Sequence, residues 1–290
     1  MTRSRTRTFY IHTLSPLHCG TGQSSSGIDL PIARERHTGH PIVPGSSLKG
    51  VLRGLSQDPA LLKEVFGPDT LKAADHAGGV QFGDALLTFL PVRSIAGTFA
   101  WATCPTMVRR LNRVRAESGQ AVLPKLEVVP EGNGVWVTPN SKLVSGGRVV
   151  LEDLDFSVSM SADLSEFAGQ VASECLLPED KTFFVDRVLL VHDDVMATLL
   201  ETALEITARN AIDAELGTVR KGALWTEEAL PTESILVGRI AATPVKVDGK
   251  IASPETLLDH VASLLGGTLQ LGGHTNIGRG LCRLVVQGGK

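Results

Sequence analysis

The chain of 290 residues contains no apolar run near the roughly 18 to 20 residues that a membrane-spanning helix needs. Its Arg-rich start, Arg3, Arg5 and Arg7, leads into Phe9-Tyr10-Ile11-His12 without the apolar core of a secretion signal. The expectation is a cytoplasmic protein with no membrane partner. There is no C-x-x-C pair: Cys19, Cys104, Cys175 and Cys282 are scattered, so a zinc site has no support and reduced thiols are expected. No internal repeat or low-complexity tract divides the chain, and a single elaborated domain over residues 1–290 is the simplest reading. G-x-G-x-x-G is missing, which disfavours dinucleotide binding. Ser46-Ser47-Leu48-Lys49 matches the S-x-x-K of acylating serine enzymes, but neither S-D-N nor K-T-G follows it.

What is present is loop-rich and globular: 42% hydrophobic and 20% charged residues are ordinary for a packed domain, while 30 Gly and 15 Pro predict many turns between short elements. A net charge of -3 argues against a protein that grips nucleic acid by global positive charge. The sum conceals an asymmetry. Residues 1–57 hold seven Lys/Arg against two acids, and residues 85–116 hold five Arg and no acid. Residues 150–215 hold fifteen acids and three bases. One surface can therefore meet a polyanion while another repels it, although a solvated acidic helix face beside unrelated basic loops gives the same counts.

Residues 6–14 are aromatic and β-branched and read as a strand stopped by Ser15-Pro16, followed by a Gly/Ser-rich loop from Gly20 to Gly27. After Pro44, Leu48, Val51, Leu52 and Leu55 follow helical spacing, with Ser46 or Ser47 available as N-cap. Further helices are expected from Pro105 toward Glu117, after Asp193-Asp194 and after Pro254. Strands are expected over 80–92, 182–191, 234–243 and 281–286. The irregular alternation favours an α+β fold over a doubly wound one.

Three clusters carry chemistry. Ser46, Lys49 and Arg53 share the helix face opposite Leu48 and Leu52, and a helix N-terminus with a cation one turn in suits a phosphate; a plain solvated face is the alternative. The segment Gly272-Gly273-His274-Thr275-Asn276-Ile277-Gly278-Arg279-Gly280 lies just before a strand, where glycine backbone can approach a sugar-phosphate chain and Arg279 supplies charge; a plain turn explains it equally. Asp29, in Gly27-Ile28-Asp29-Leu30-Pro31, is a weak general base at an ordinary carboxylate pKa of about 4. It is better suited to a hydrated Mg²⁺ or another divalent cation, which needs only one or two carboxylates beside a substrate phosphate. His18, beside the same loop, is a candidate for proton transfer, though a histidine before a glycine is as readily structural.

These pieces occur in an order. Leu17-His18-Cys19-Gly20-Thr21-Gly22, Gly27 to Glu35, Pro41 to Arg53, Phe82-Gly83-Asp84-Ala85, Trp101 to Pro105, Asn210-Ala211-Ile212-Asp213, Gly222 to Pro231 and the terminal Gly-rich loop together resemble the RAMP-superfamily backbone subunits of type III CRISPR effectors, most closely the type III-B (Cmr complex) member. The resemblance implies a ferredoxin-like (RRM-like) βαββαβ core with large insertions and a β-hairpin thumb at approximately 210–228. It also implies Asp29 as catalytic and metal-binding residue, with His18 beside it. Guide RNA would lie on Ser46, Ser47, Lys49, Arg53, Gly273, Gly278, Arg279 and Gly280. Thumb residues Ile212, Asp213, Thr218, Val219, Leu224 and Trp225 would wedge into the guide–target duplex. Implied partners are CRISPR guide RNA, complementary target RNA, further copies of the chain in a helical filament and other type III effector subunits. The implied activity is metal-dependent cutting of target RNA at regular intervals, with a non-catalytic guide scaffold as the alternative. Two departures from the family's pattern stand out: Thr226 follows Trp225 where an aromatic pair is common, and His274 stands where an acid is common. Glu227 and Glu228 read as structural or functional alike.

Overall fold

The computed structural model describes residues 4–24, 27–68, 76–126, 131–213, 215–247 and 249–288; Arg3 lies outside them. β1 (Arg5–Thr13) is the expected first strand and is buried from Thr8 onward. β2 (Ile42–Val43) leads into α1 (Gly45–Leu55), which buries Leu48 and Leu52 as their spacing dictates. α2 (Pro59–Phe66) starts on Asp58, whose carboxylate accepts the Ala60 and Leu61 N–H groups. There follow β3 (Val80–Phe82), β4 (Ala85–Arg93), β5 (Phe99–Thr103) and α3 (Pro105–Glu117). Next come β6 (Gly134–Val137), β7 (Arg148–Leu151), β8 (Leu154–Met160), α4 (Ala162–Cys175), α5 (Lys181–Val185), β9 (Val188–Leu190) and α6 (Asp193–Thr202). The hairpin β10 (Glu205–Ile212) and β11 (Val219–Ala229) precedes β12 (Ile235–Ala242), β13 (Val245–Val247) and β14 (Lys250–Ala252). α7 (Pro254–Leu265), β15 (Gly267–Gln270) and β16 (Leu281–Gln287) complete the described chain.

The large sheet runs β15-β16-β1-β12-β4-β5-β9-β6-β8-β7, with β2 beside β4 and β3 beside β12. β1 is antiparallel to both β12 and β16, and β12 to β4. Alternation along β1 sends its side chains into two cores. Phe9 and Ile11 pack with Leu48 and Leu52 of α1 and Leu257 and Val261 of α7. Tyr10 packs with Leu111 of α3 and Phe167 of α4. The sheet is thus covered on both faces, in an α+β arrangement. Among the described residues no helix is long and apolar enough to cross a membrane. All four cysteines are free and buried, and burial raises each thiol's pKa, Cys19 to about 12.

Several expectations need correction. The stretch expected as one strand over 182–191 is α5 followed by β9, because Thr182 to Asp186 close a helical turn before the apolar triplet Val188-Leu189-Leu190. The stretch 80–92 is split at Gly83-Asp84, where the Gly83 N–H turns to the Arg239 carbonyl. Neither Ser46 nor Ser47 caps α1: Pro44 is the N-cap residue, and the Gly45 N–H is taken instead by the Asp84 carboxylate at 2.8 Å. Two chain segments far apart in sequence are joined there. Asp84→Ala is expected to lower unfolding free energy by about 1 kcal/mol, the usual worth of a helix cap, as measured by denaturant titration.

Candidate functional site

The hairpin β10–β11 stands as its own two-stranded sheet, reaching from Glu205 to Ala229 rather than only 210–228. Cross-strand register pairs Ile206 with Glu228, Ala208 with Thr226, Asn210 with Leu224 and Ile212 with Val219, so these residues share one face. That face is aliphatic toward its outer end: Ile212 is 62% exposed, Val219 52% and Leu224 70%, with Leu216 75% exposed at the tip. Asp213 and Thr218 build the turn: the Asp213 carboxylate accepts the Glu215 and Leu216 N–H groups, and its own N–H donates to the Thr218 carbonyl. The opposite face carries Thr207, Arg209, Trp225 and Glu227.

At the foot of the hairpin, residues 29–32 run along β11. The Leu30 N–H donates to the Thr226 carbonyl and the Glu228 N–H to the Leu30 carbonyl. Glu228, 3% exposed, accepts the Ile32 N–H at 3.0 Å on one oxygen and the Arg34 guanidinium at 2.5 Å on the other. Asp29 is exposed, yet its position is fixed. Its Oδ2 accepts the Thr226 N–H at 2.7 Å and the Thr226 hydroxyl at 2.9 Å. The Thr226 amide and then its hydroxyl hold the Asp29 carboxyl below its ordinary pKa.

On the other face of β11, Glu227 is 1% exposed. Burial opposes its ionisation, but the Trp225 indole N–H, His274 and Arg209 outweigh it and leave its pKa below the ordinary value. His274 Nε2 lies 3.5 Å from the Glu227 carboxylate, and its ring stands 5.2 Å from that of His18. His18 is 7% exposed and its Nδ1 donates to the Glu228 carbonyl at 2.6 Å; an acceptor there fixes the proton on Nδ1 and, in the neutral ring, the lone pair on Nε2. Glu227 and Glu228 are therefore both buried and fully engaged, the first with the Gly-rich segment and the second with the Asp29 loop.

A cleft of about 570 Å³ is lined by His18, Gly20, Leu30, Ser46, Ser47 and Gly273, so it brings together parts of the three expected clusters, with Leu30 rather than Asp29 itself at its wall. Lys49 lies instead in a neighbouring groove of about 520 Å³, which has Ser46 in common with the cleft and also contains Gly45, His76 and Gln81. The phosphate site expected at the N-terminus of α1 is partly filled from within, since Asp84 occupies its first N–H. The Arg53 guanidinium donates to the Gly67 carbonyl at 3.0 Å. Arg279 reaches Thr207 of the hairpin at 3.2 Å. Gly273 and Gly278 are exposed, but Gly280 is buried, with φ 75° and no space for a Cβ, which would fall 1.9 Å from the Leu271 carbonyl oxygen.

Local charge counts overstate the basic surface. Arg5, Arg7, Arg34, Arg93, Arg110 and Arg115 are paired with Glu255, Asp259, Glu228, Glu152, Glu35 and Glu174. Sequence reasoning missed Thr226, Arg34 and Arg209, whose roles arise from contacts across more than a hundred residues or across the hairpin. For Thr226 its place next to Glu227 was a hint; Arg34 and Arg209 gave none.

The model of the RAMP superfamily matches residues 10–283 of the chain. The chain belongs to the RAMP superfamily. This RAMP protein is 32% identical over 286 residues, 96% of its own length and 94% of the relative's, to the CRISPR system Cmr endoribonuclease Cmr4 of Pyrococcus furiosus. It is 24% identical over 308 residues, 95% of its length and 94% of the relative's, to the CRISPR system CMR subunit Cmr4 of Saccharolobus solfataricus. The crystal structure of oligomeric Cmr4 from Pyrococcus furiosus superposes with a TM-score of 0.75 at 25% identity, covering 98% of each chain. A chain of the cryo-EM structure of the type III-B Cmr-beta complex bound to cognate target RNA shares the RAMP fold, with a TM-score of 0.76 at 20% identity over 97% of this chain and 96% of that one.

Because Glu228 answers two donors from inside the fold, Glu228→Ala is expected to cost about 3 kcal/mol of unfolding free energy, with Glu228→Gln costing less because its carbonyl oxygen still accepts the Ile32 N–H. Urea denaturation of the three proteins measures both differences.

Proposed function

We propose that the chain is a repeating backbone subunit of a type III-B CRISPR RNA-guided complex, where it holds the guide RNA and cuts complementary target RNA at regular intervals. Likeness to Cmr4 over nearly the whole of both chains supports the assembly, with further copies of itself and other type III effector subunits as partners. In this reading β1, α1, β4, β12, α7 and β16 form a ferredoxin-like βαββαβ unit, which the sheet order β16-β1-β12-β4 supports, and β10–β11 is the thumb.

The observation that carries the cutting is one exposed, ionised carboxylate, Asp29, fixed at the foot of a hairpin whose outer face is aliphatic. Aliphatic side chains wedge between base pairs because they replace stacking contact with apolar contact. Ile212, Leu216, Val219 and Leu224 supply such a wedge. A nucleotide turned out of the helix reaches the in-line arrangement that a regular duplex forbids. The neighbouring 2′-oxygen then attacks phosphorus and gives its proton to water, and the bond to the 5′-oxygen breaks as that oxygen takes a proton from water, giving a 2′,3′-cyclic phosphate and a 5′-hydroxyl. Asp29 orients the linkage from the target side, its lowered pKa leaving it a weak base. His18, with its Nδ1–H bound to Glu228, holds the Leu17–Gly20 turn against the hairpin foot.

The donor set fits a hydrated divalent cation shared with RNA rather than a caged one: Mg²⁺ is satisfied by one or two carboxylates, water and phosphate oxygen. Among the described residues no three or more His, Cys, Asp or Glu are grouped so that they could hold a metal ion by themselves. When bound, the cation offsets charge on the phosphoryl oxygens. Ser46, Ser47, Lys49 and Gly273 line the surfaces offered to guide phosphates and Gly278 lies exposed beside them, while Arg53, Arg279 and Gly280 support the neighbouring segments.

A scaffold that holds guide without cutting is favoured by one observation: no second carboxylate or imidazole bonds to Asp29 among the described residues. Assembled complex mixed with complementary RNA and Mg²⁺ decides between the two. Wild type is expected to give evenly spaced cuts, and Asp29→Ala is expected to bind target and give none. Unchanged cutting by Asp29→Ala, or uncut target with wild type, overturns the cleavage assignment.

A further inference from the structure

The Asp29 loop is rich in glycine and serine, and an exposed aspartate in such a loop ordinarily samples several side-chain rotamers. Here it does not have that freedom. The single Thr226 hydroxyl works in both directions: it accepts the Asp29 N–H at 3.0 Å and gives its own proton to Asp29 Oδ2 at 2.9 Å. The Thr226 N–H adds a second donor to the same oxygen at 2.7 Å. Both donors converge on Oδ2, and Oδ1 takes no hydrogen bond among the described residues.

We infer that Thr226 is a positioning residue for Asp29, fixing one carboxylate oxygen against the hairpin so that the other, Oδ1, is presented to the RNA linkage. This rests on the cleavage reading above and adds to it which oxygen acts and what aims it. The aiming group belongs to β11, so the carboxylate is carried by the same strand that bears Leu224, and wedge and carboxylate keep a fixed separation. The neighbouring acids cannot take over the task. Glu227 is committed to Trp225 and Arg209, and Glu228 to Ile32 and Arg34.

Thr226→Val removes the hydroxyl while keeping volume, β-branching and the backbone N–H, and the bonds of Leu30 and Glu228 still tie loop to strand. The assembled complex carrying this change is expected to bind guide and target within about twofold of wild type and to cut about tenfold more slowly under single turnover, the scale of loss typical for a misplaced catalytic group. Thr226→Ser is expected to restore most of that rate. A cryo-EM map of the target-bound complex supplies a readout apart from activity: one Asp29 rotamer in wild type and Thr226→Ser, several in Thr226→Val. Wild-type cutting and a single Asp29 rotamer in Thr226→Val, with Asp29→Ala inert, overturns this inference alone. Normal cutting by Asp29→Ala overturns the cleavage reading and this inference together. Lost target binding in Thr226→Val, or failure of Thr226→Ser to recover, makes residue 226 merely structural and likewise overturns it.

Discussion

A carboxylate removed from water must be answered by donors, and Glu228 is such a group at the centre of this molecule's working end. Its two oxygens draw in the Ile32 amide and the Arg34 guanidinium, while its own carbonyl takes the His18 ring N–H. Two parts of the single long connection between β1 and β2, around His18 and around Ile32, are thereby held to β11. Arg34 extends the tie to the Gly39 carbonyl. With the loop anchored by Ile32, Leu30 falls into register with Thr226 and Asp29 arrives at its clamp. The placing of the exposed Asp29 carboxylate thus depends on an ion pair between buried Glu228 and Arg34, five residues further along the chain.

The same economy governs charge. Most arginines of the basic stretches pair with acids contributed by distant segments, including Glu152 and Glu174 from the acidic stretch. What remains for a polyanion is a modest surface of hydroxyls, glycine backbone and a few cations around α1 and the segment before β16. Such a surface recognises the path of a phosphate chain more than its total charge. In a guided complex sequence selection resides in base pairing, and a shape-reading protein suits that division.

Local signals were legible where local physics decides. Helical spacing announced α1, α3, α6 and α7, and the β-branched aromatic run announced β1. The Asp29 loop and the apolar residues of the hairpin were also readable, the latter through an ordered likeness to a family rather than through pattern alone. Long-range partnerships stayed hidden. The cap of α1 comes from Asp84, and the stretch around Thr182 coils before it extends because Asp186 and Arg187 bond back to Thr182 and Phe184. Gly280 looked like a place for RNA to approach and instead makes room for the Leu271 carbonyl. Serine next to a helix start and glycine next to a strand each have two uses, and only the neighbour in space chooses between them.

The hairpin's outer face, with Ile212, Leu216, Val219 and Leu224 uncovered, has a cost for any copy that is not loaded. Greasy side chains on a projecting two-stranded arm with free edges invite adhesion to whatever passes. Synthesis of the subunit in step with its partners is then a matter of colloidal hygiene as much as of supply, since an orphan copy would carry an unsheathed tip into a crowded cell.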